Sequence, residues 1–205
     1  MTEQPPRTGY RFLRFLVRVI FRVYFRGRVI GRENLIETGG VLIVSNHQSF
    51  LDPPLIGAPW VRECCYMARD TLWNNRFLGR LLTYVNVFPV RRGEADITAV
   101  KGMLRRLRQG EAVLVFPEGT RSRDGSLGVM NPNTLSFAKK AGVAILPVRI
   151  EGTFKAWPPG RRLPRPRKVS ITYTRPITAE QVRERSLEQI VEIVTQQIEE
   201  AGCDG

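Results

Sequence analysis

Histidine is almost absent from this chain of 205 residues, which carries one, His47. Cysteine is scarce too: Cys64, Cys65 and Cys203 offer neither a disulfide framework nor the paired spacing of a zinc site, so a reducing compartment is the default. Acidic residues are outnumbered, 19 Asp and Glu against 32 Lys and Arg, which leaves a net charge of +13 at pH 7. That excess points to an anionic partner: nucleic acid, an anionic membrane surface or a phosphorylated substrate. Long apolar runs are missing as well. Arginine interrupts the first apolar segment at every turn, so neither a secretory signal nor a membrane-crossing helix is read from it. Internal repeats and low-complexity tracts are also lacking. What is present is 42% hydrophobic residues, over a length that suits one domain with a substantial core.

The polar, proline-containing stretch Met1–Thr8 reads as disordered. From Tyr10 to Arg26 the pattern turns helical. Arg11, Arg14, Arg18, Arg22 and Arg26 recur at spacings of three and four and share one stripe, while residues such as Phe12, Phe15, Leu16, Val19, Ile20 and Val23 cover the remainder. At about 1.5 Å per residue such a helix is shorter than the roughly 30 Å of a bilayer's hydrocarbon core. It is expected to lie in the interface of an anionic membrane as a monotopic anchor, its arginines reaching lipid phosphates and its Phe, Leu and Val side chains entering the acyl boundary. Packing on the domain's own core is the alternative. Residues 1–27 are thus expected to form a disordered terminus and anchoring helix, and residues 28–205 the domain proper.

Within that domain, apolar runs consistent with strands occur at Arg28–Gly31, Val41–Ser45, Cys64–Ala68, Val87–Val90, Ala112–Phe116, Ala144–Arg149 and Lys168–Tyr173. They alternate with helical patterns at Pro53–Ala58, Leu72–Tyr84, Ala95–Gln109, Asn133–Ala141 and Ala179–Glu200. Such alternation predicts an α/β fold, a single domain with a largely parallel central sheet covered by helices. The proline-rich, basic segment Trp157–Lys168 can continue neither a helix nor a central strand and is expected as a surface loop.

Two polar islands directly follow apolar runs. The first, Asn46-His47-Gln48-Ser49-Phe50-Leu51-Asp52-Pro53, holds the histidine, a side chain whose ordinary pKa of about 6.5 suits it to take and return a proton near neutral pH. Asp52, five positions on, would fix its tautomer; taken singly, it also suits the cap of a helix opened by Pro53. The second, Phe116-Pro117-Glu118-Gly119-Thr120-Arg121-Ser122, supplies a carboxylate, a glycine that permits close backbone approach and a planar guanidinium matched to phosphate. A third strand end, Phe88-Pro89-Val90-Arg91-Arg92-Gly93, again places arginine straight after an apolar run. Loops leaving the carboxyl ends of parallel strands line a common crevice, so these groups are expected to meet there.

Together the blocks resemble the glycerophospholipid acyltransferase family, most closely its bacterial 1-acyl-glycerol-3-phosphate (lysophosphatidic acid) acyltransferases. His47 through Asp52 matches the family's His-x-x-x-x-Asp block, Phe88 through Arg91 the second, Phe116 through Arg121 the third and Ile145-Leu146-Pro147-Val148 the fourth. Tyr66-Met67-Ala68-Arg69 is similar to a short strand between the first two, and the likeness runs from Arg28 to Tyr173. It implies that family's fold and the transfer of a fatty acyl group from acyl-CoA or acyl carrier protein to the free hydroxyl of 1-acyl-glycerol 3-phosphate, with no cofactor and no metal. By the same resemblance His47 is the general base and Asp52 orients it. Glu118, Gly119, Thr120, Arg121 and Arg91 hold the acceptor's glycerol phosphate, and Pro147 shapes the acyl-donor side. The partners implied are an anionic membrane surface, a lysophospholipid acceptor and the acyl carrier, at the cytoplasmic face of the membrane.

Leu127–Thr134 departs from the basic and small residues that many relatives carry after the third block, which leaves the acceptor open to other lysolipids, an acylated ornithine among them. Two rival classes stand beside this reading. A thioesterase-type hydrolase would use the same base on water. A nucleic-acid-binding module would account for the charge, but no helix-turn-helix, zinc-finger or RNA-binding signature is present, and no nucleic acid partner is expected. Ser49, Cys64 and Cys65 lie in no recognisable nucleophile context, so direct transfer without an acyl-enzyme is expected.

Overall fold

The computed structural model describes residues 8–91 and 97–202. The disorder expected for Met1–Arg7 and the readings that fall on Arg92, Gly93, Ala95 and Cys203 lie outside them. In chain order the described residues form α1 (Thr8–Val23), β1 (Arg28–Ile30), β2 (Val41–Ser45), α2 (Asp52–Gly57), β3 (Cys64–Arg69), α3 (Arg76–Tyr84), β4 (Val87–Val90) and α4 (Ile97–Arg108). There follow β5 (Ala112–Val115), α5 (Pro132–Ala141), β6 (Ala144–Glu151), α6 (Thr153–Ala156), β7 (Ser170–Tyr173), α7 (Ala179–Glu184) and α8 (Leu187–Glu200).

The strands make one sheet in the order β1-β7-β6-β2-β5-β3-β4, parallel at every pairing except β6 with β7. Every residue of β2 and β5, at its centre, is buried, which is why their sequences run apolar without alternation. Phe21 and Phe25, Leu55 and Ile56 of α2, and Trp60 pack in one core layer. Met103, Leu107, Leu135, Ala138, Ile190, Val194 and Ile198 pack in the other, so α1 and α2 cover one face of the sheet and α4, α5 and α8 the opposite one. The chain leaving β2 therefore departs on one face and the chain leaving its neighbour β5 on the other. Adjacent strands whose connections diverge in this way open a crevice at their carboxyl ends.

Three departures from the expected elements have local causes. Ala179–Glu200 is two helices, because Arg185 is extended and Ser186 opens a second capping box with Gln189, just as Thr178 opens the first with Gln181. Leu72–Tyr84 is also divided: the Asn75 side chain accepts from the backbone N–H groups of Phe77 and Leu78, starting α3 there and leaving a 3₁₀ turn before it. Thr8, expected in the disordered terminus, begins α1.

Part of the arginine stripe of α1 is engaged by the domain itself. Arg14 donates to the carbonyls of Val61 and Arg62, Arg18 to those of Ala58 and Trp60, and Arg22 to that of Gly27. Ala58 closes α2, so Arg18 sets a cation against a helix C-terminus whose carbonyls lack intrahelical partners. Arg14, Arg18 and Arg22 thus have carbonyl partners within the protein. Tyr10 and Phe21 are buried beside them, while Phe12, Phe15, Leu16, Val19, Ile20 and Val23 are turned outward. Among the described residues no helix is long and apolar enough to cross a membrane.

Candidate active site

The loop after β2 is built around a buried carboxylate. Oδ2 of Asp52 accepts from Nδ1 of His47 at 2.8 Å and from the backbone N–H groups of Gln48 at 2.6 Å and Ser49 at 2.7 Å. Asp52 thus turns back onto the residues before it. It has little else to cap, since Pro53 and Pro54 at the start of α2 carry no N–H. A carboxylate at Nδ1 keeps the imidazole proton there and leaves Nε2 as the acceptor nitrogen. The His47 side chain is 18% exposed while that of Asp52 is 0%, so the pair meets solvent on the histidine side alone.

The third block completes the hold on His47. Its ring stacks on Phe116 with centroids 3.9 Å apart. Oε1 of Glu118 accepts the His47 backbone N–H at 2.8 Å, and the His47 carbonyl accepts from Ser122 at 2.7 Å. Oε2 of Glu118 accepts from Gly128 at 3.1 Å. Burial pushes the Glu118 carboxyl up, and the two backbone donors oppose that shift. With both oxygens engaged by backbone donors, Glu118 splices the two loops.

Arg121 lies over the ring of Phe50, its guanidinium carbon 3.7 Å from the centroid, and Phe50 in turn faces Trp157 at 6.0 Å. Burial and the nearby charge of Arg69 push the Arg121 guanidinium below its ordinary value, with Asp52 acting the other way. A cation aligned on an aromatic face, beside the histidine loop, is a ready anion site. Gly119 adopts the left-handed conformation at φ 67°, and Thr120 is exposed beside it.

One expected member stands apart from this cluster and another lies beneath it. Arg91, at the end of β4, is exposed and has its Nε 3.7 Å from Oδ2 of Asp70; β4 stands three strands from β2, roughly 14 Å at the usual spacing. Pro147 is buried inside β6 opposite Val44, and its carbonyl accepts from Thr174. Other residues were not legible as members. Asn46 exchanges two hydrogen bonds with Ile150, at 2.9 and 2.8 Å, pinning the loop to β6. Gln48 donates to the Gly125 carbonyl, and Ser49 Oγ to that of Trp157. Arg69 carried a usable signal, since it ends a parallel strand beside β5 just as Arg91 ends an outer one.

Cys64 and Cys65 are buried at the amino end of β3, and burial pushes the Cys64 thiol up to about 12 and that of Cys65 higher still. Neither is a thiolate at neutral pH. Among the described residues no cluster of three or more His, Cys, Asp or Glu side chains is gathered for a metal.

A family model described as Acyltransferase matches residues 26–151, which include the His47 loop and the Phe116–Arg121 turn. The chain is 31% identical over 140 residues to a chloroplast 1-acyl-sn-glycerol-3-phosphate acyltransferase of Arabidopsis thaliana, covering 67% of this chain and 39% of that one. It is 32% identical over 137 residues to the lyso-ornithine lipid O-acyltransferase of Pseudomonas aeruginosa, covering 66% of this chain and 51% of that one. The crystal structure of the 1-acyl-sn-glycerophosphate (LPA) acyltransferase of Thermotoga maritima is similar with a TM-score of 0.80 at 28% identity, covering 94% of this chain and 77% of that one. The chain thus spans about two-fifths of the chloroplast relative's length and about half of the Pseudomonas relative's.

Proposed function

The chain belongs to the acyltransferase family, and from that premise we propose that it moves a fatty acyl group from an acyl thioester to the free hydroxyl of a lysophospholipid, 1-acyl-glycerol 3-phosphate being the leading acceptor. The observation that carries this reading is the joint placement of His47 and Arg121: a proton acceptor backed by a buried carboxylate, in a loop spliced to the turn that bears a guanidinium. Nε2 of His47 takes the acceptor's hydroxyl proton as that oxygen attacks the thioester carbonyl carbon. The new C–O bond forms, the C–S bond breaks, and the leaving sulfur takes the proton back from the imidazolium. Asp52 holds the Nδ1 proton throughout and favours the transient positive charge. Arg121, with Arg69 near it, receives the acceptor's phosphate.

Direct transfer is favoured over an acyl-enzyme by the state of the nucleophiles: Ser49 is buried with its hydroxyl donated to Trp157, and both strand cysteines are held as thiols. The donor is acyl-CoA or acyl carrier protein, with no further cofactor. The site of action is an anionic membrane surface at the cytoplasmic face, met by the outward apolar residues of α1 and by Phe50 and Val129 beside the crevice, both exposed.

A second reading concerns the acceptor alone. The Pseudomonas relative is named for a lyso-ornithine lipid, and Gly128, in the stretch that departs from the family pattern, contacts Glu118 directly. The test offers the purified protein labelled acyl-CoA or acyl carrier protein with a panel of lysolipids. Label in phosphatidic acid supports the leading acceptor and label in an acylated ornithine lipid the second. Acyl release without any lysolipid would overturn transfer in favour of hydrolysis.

A further inference from the structure

The apolar face that α1 turns outward has a counterpart on another helix. α3 exposes Phe77, Leu81 and Tyr84, spaced four and three apart and so on one side, with Phe77 at 81% the most open phenylalanine of the chain's described residues. The opposite side is fixed to the domain: Gly79 is buried against Trp73, whose indole N–H donates to Thr83 Oγ1 at 3.1 Å. The two helices meet, for Gly9 lies so close to Tyr84 that a Cβ there would collide with its hydroxyl. They also share a face of the sheet. The connections β2 to β3 and β3 to β4 run the same way across the strand order, and right-handed crossovers in one direction lie on one side, the side that holds α2 and α1.

Charge completes the picture. Neither α1 nor α3 contains an aspartate or glutamate, and exposed arginines flank the apolar residues, Arg11 on the first and Arg76 and Arg80 on the second. An apolar strip edged by cations with no acid is complementary to an anionic lipid surface. We propose that α3 is a second bilayer contact, seating Phe77 and Leu81 in the interface beside α1 with Arg76 and Arg80 at the headgroup phosphates. This rests on the reading of α1 as a membrane anchor. One helix lying in the interface lets the domain roll about its axis, whereas two contacts that are not collinear fix the tilt. α3 begins just beyond Arg69 and Asp70 at the carboxyl end of β3, so fixing that tilt fixes how the crevice faces the lipid.

The experiment measures sedimentation of the full chain with vesicles of phosphatidylglycerol and phosphatidylcholine. Phe77→Ser/Leu81→Ser and Phe12→Ser/Phe15→Ser are each expected to lower the partition coefficient by about tenfold or more, the scale of losing one large apolar side chain from a buried setting. Release of the α1 variant with wild-type binding by the α3 variant would overturn the proposal and spare the anchor. Retention of both would overturn the two together. A Phe77→Trp chain, conservative at so open a position, is expected to gain a blue-shifted emission component on adding vesicles that the parent lacks; its absence counts against the proposal. An α3 variant that binds vesicles normally but loses a dimer in sedimentation velocity would assign this face to a second copy instead.

Discussion

Two regions of this molecule depart from the usual partition of polar and apolar groups, and they do so in opposite directions. The crevice buries Ser45, Asn46, Gln48, Ser49 and Asp52 at the carboxyl end of the central strands. The α1 and α3 surface exposes Phe12, Phe15, Ile20, Val23, Phe77 and Leu81. Neither arrangement favours stability. Burying polar groups is tolerable where hydrogen bonds replace water, and Oδ2 of Asp52, the Asn46 amide and both Glu118 oxygens have that replacement, while Oδ1 of Asp52 is buried without a hydrogen-bond partner. Exposing apolar groups gains nothing within the chain and marks a surface that meets a membrane or another molecule. The first region is tied by the Asn46 hydrogen bonds to β6 and by Glu118 between the two loops, whereas the second turns its large apolar side chains outward. On the proposed function, the chemical step belongs to the first region and the contact with lipid to the second.

The largest effect expected from breaking this division is on the crevice side. His47→Ala removes the proton acceptor while leaving Asp52 its two backbone donors, so the loop keeps its shape. Positioned proton transfer supplies about 10² to 10⁴-fold in rate, and the loss of transfer is expected on that scale in a single-turnover assay. Vesicle binding should be unchanged, because His47 lies outside the apolar surface. Residual transfer at the parent rate would remove His47 from the chemistry; a parallel loss of vesicle binding would show that the two regions are not separable.

The sheet was legible from its apolar runs because β2 and β5 are buried throughout and β6 over Ile145–Val148, and the seven strands fall close to the expected runs. The helices were legible in place but not in detail. Ser186 and Asn75 carry capping chemistry that interrupts a periodic pattern without altering its hydrophobicity. The orientation of α1 was half legible. Its two faces could be drawn from spacing, yet which arginines turn inward depends on the free carbonyls at the end of α2, a tertiary fact that no local pattern contains. At the site, His47, Asp52, Glu118 and Arg121 came together as their blocks suggested. Arg91 did not: the same motif logic applies at every strand end, and only the strand order tells an outer strand from the crevice, while Pro147 lies within β6 opposite Val44, beneath the His47 loop. Asn46, Gln48 and Phe50 had no signal beyond adjacency to His47.

A milder change sharpens the comparison at the seam between the regions. Phe50 is exposed, yet it supports Arg121 from beneath, so it belongs to the crevice by contact and to the apolar surface by exposure. A guanidinium over an exposed aromatic ring is worth about 0.5–1 kcal/mol, roughly a two- to sixfold effect. Phe50→Leu keeps an apolar side chain but no π face, and is expected to raise the KM for lysolipid severalfold with little change in kcat. Phe50→Trp should restore it. A fall in kcat alone would mean that Phe50 serves the His47 loop rather than the arginine.

The smallest effect is expected from the other end of the same sheet, and it decides whether burial of reactive groups is by itself a mark of function. Cys64 and Cys65 are as buried as Asp52, and Cys65 even engages a charged partner, its thiol 2.8 Å from Oε2 of Glu111, which Arg106 also holds at 2.8 Å. They sit at the amino end of β3, opposite the carboxyl ends that form the crevice, and with pKa values pushed to about 12 and above they remain protonated at neutral pH. A thiol so held neither attacks a thioester nor reacts with an alkylating reagent at a useful rate. Cys64→Ala and Cys65→Ala should therefore each leave turnover within about twofold of the parent while lowering the melting temperature, since each removes a buried sulfur from close packing, a cost of about 1 kcal/mol or more. Loss of turnover at full stability in either variant would revive an acyl-enzyme on that sulfur and move the chemistry to the wrong end of the strands for His47 to take part.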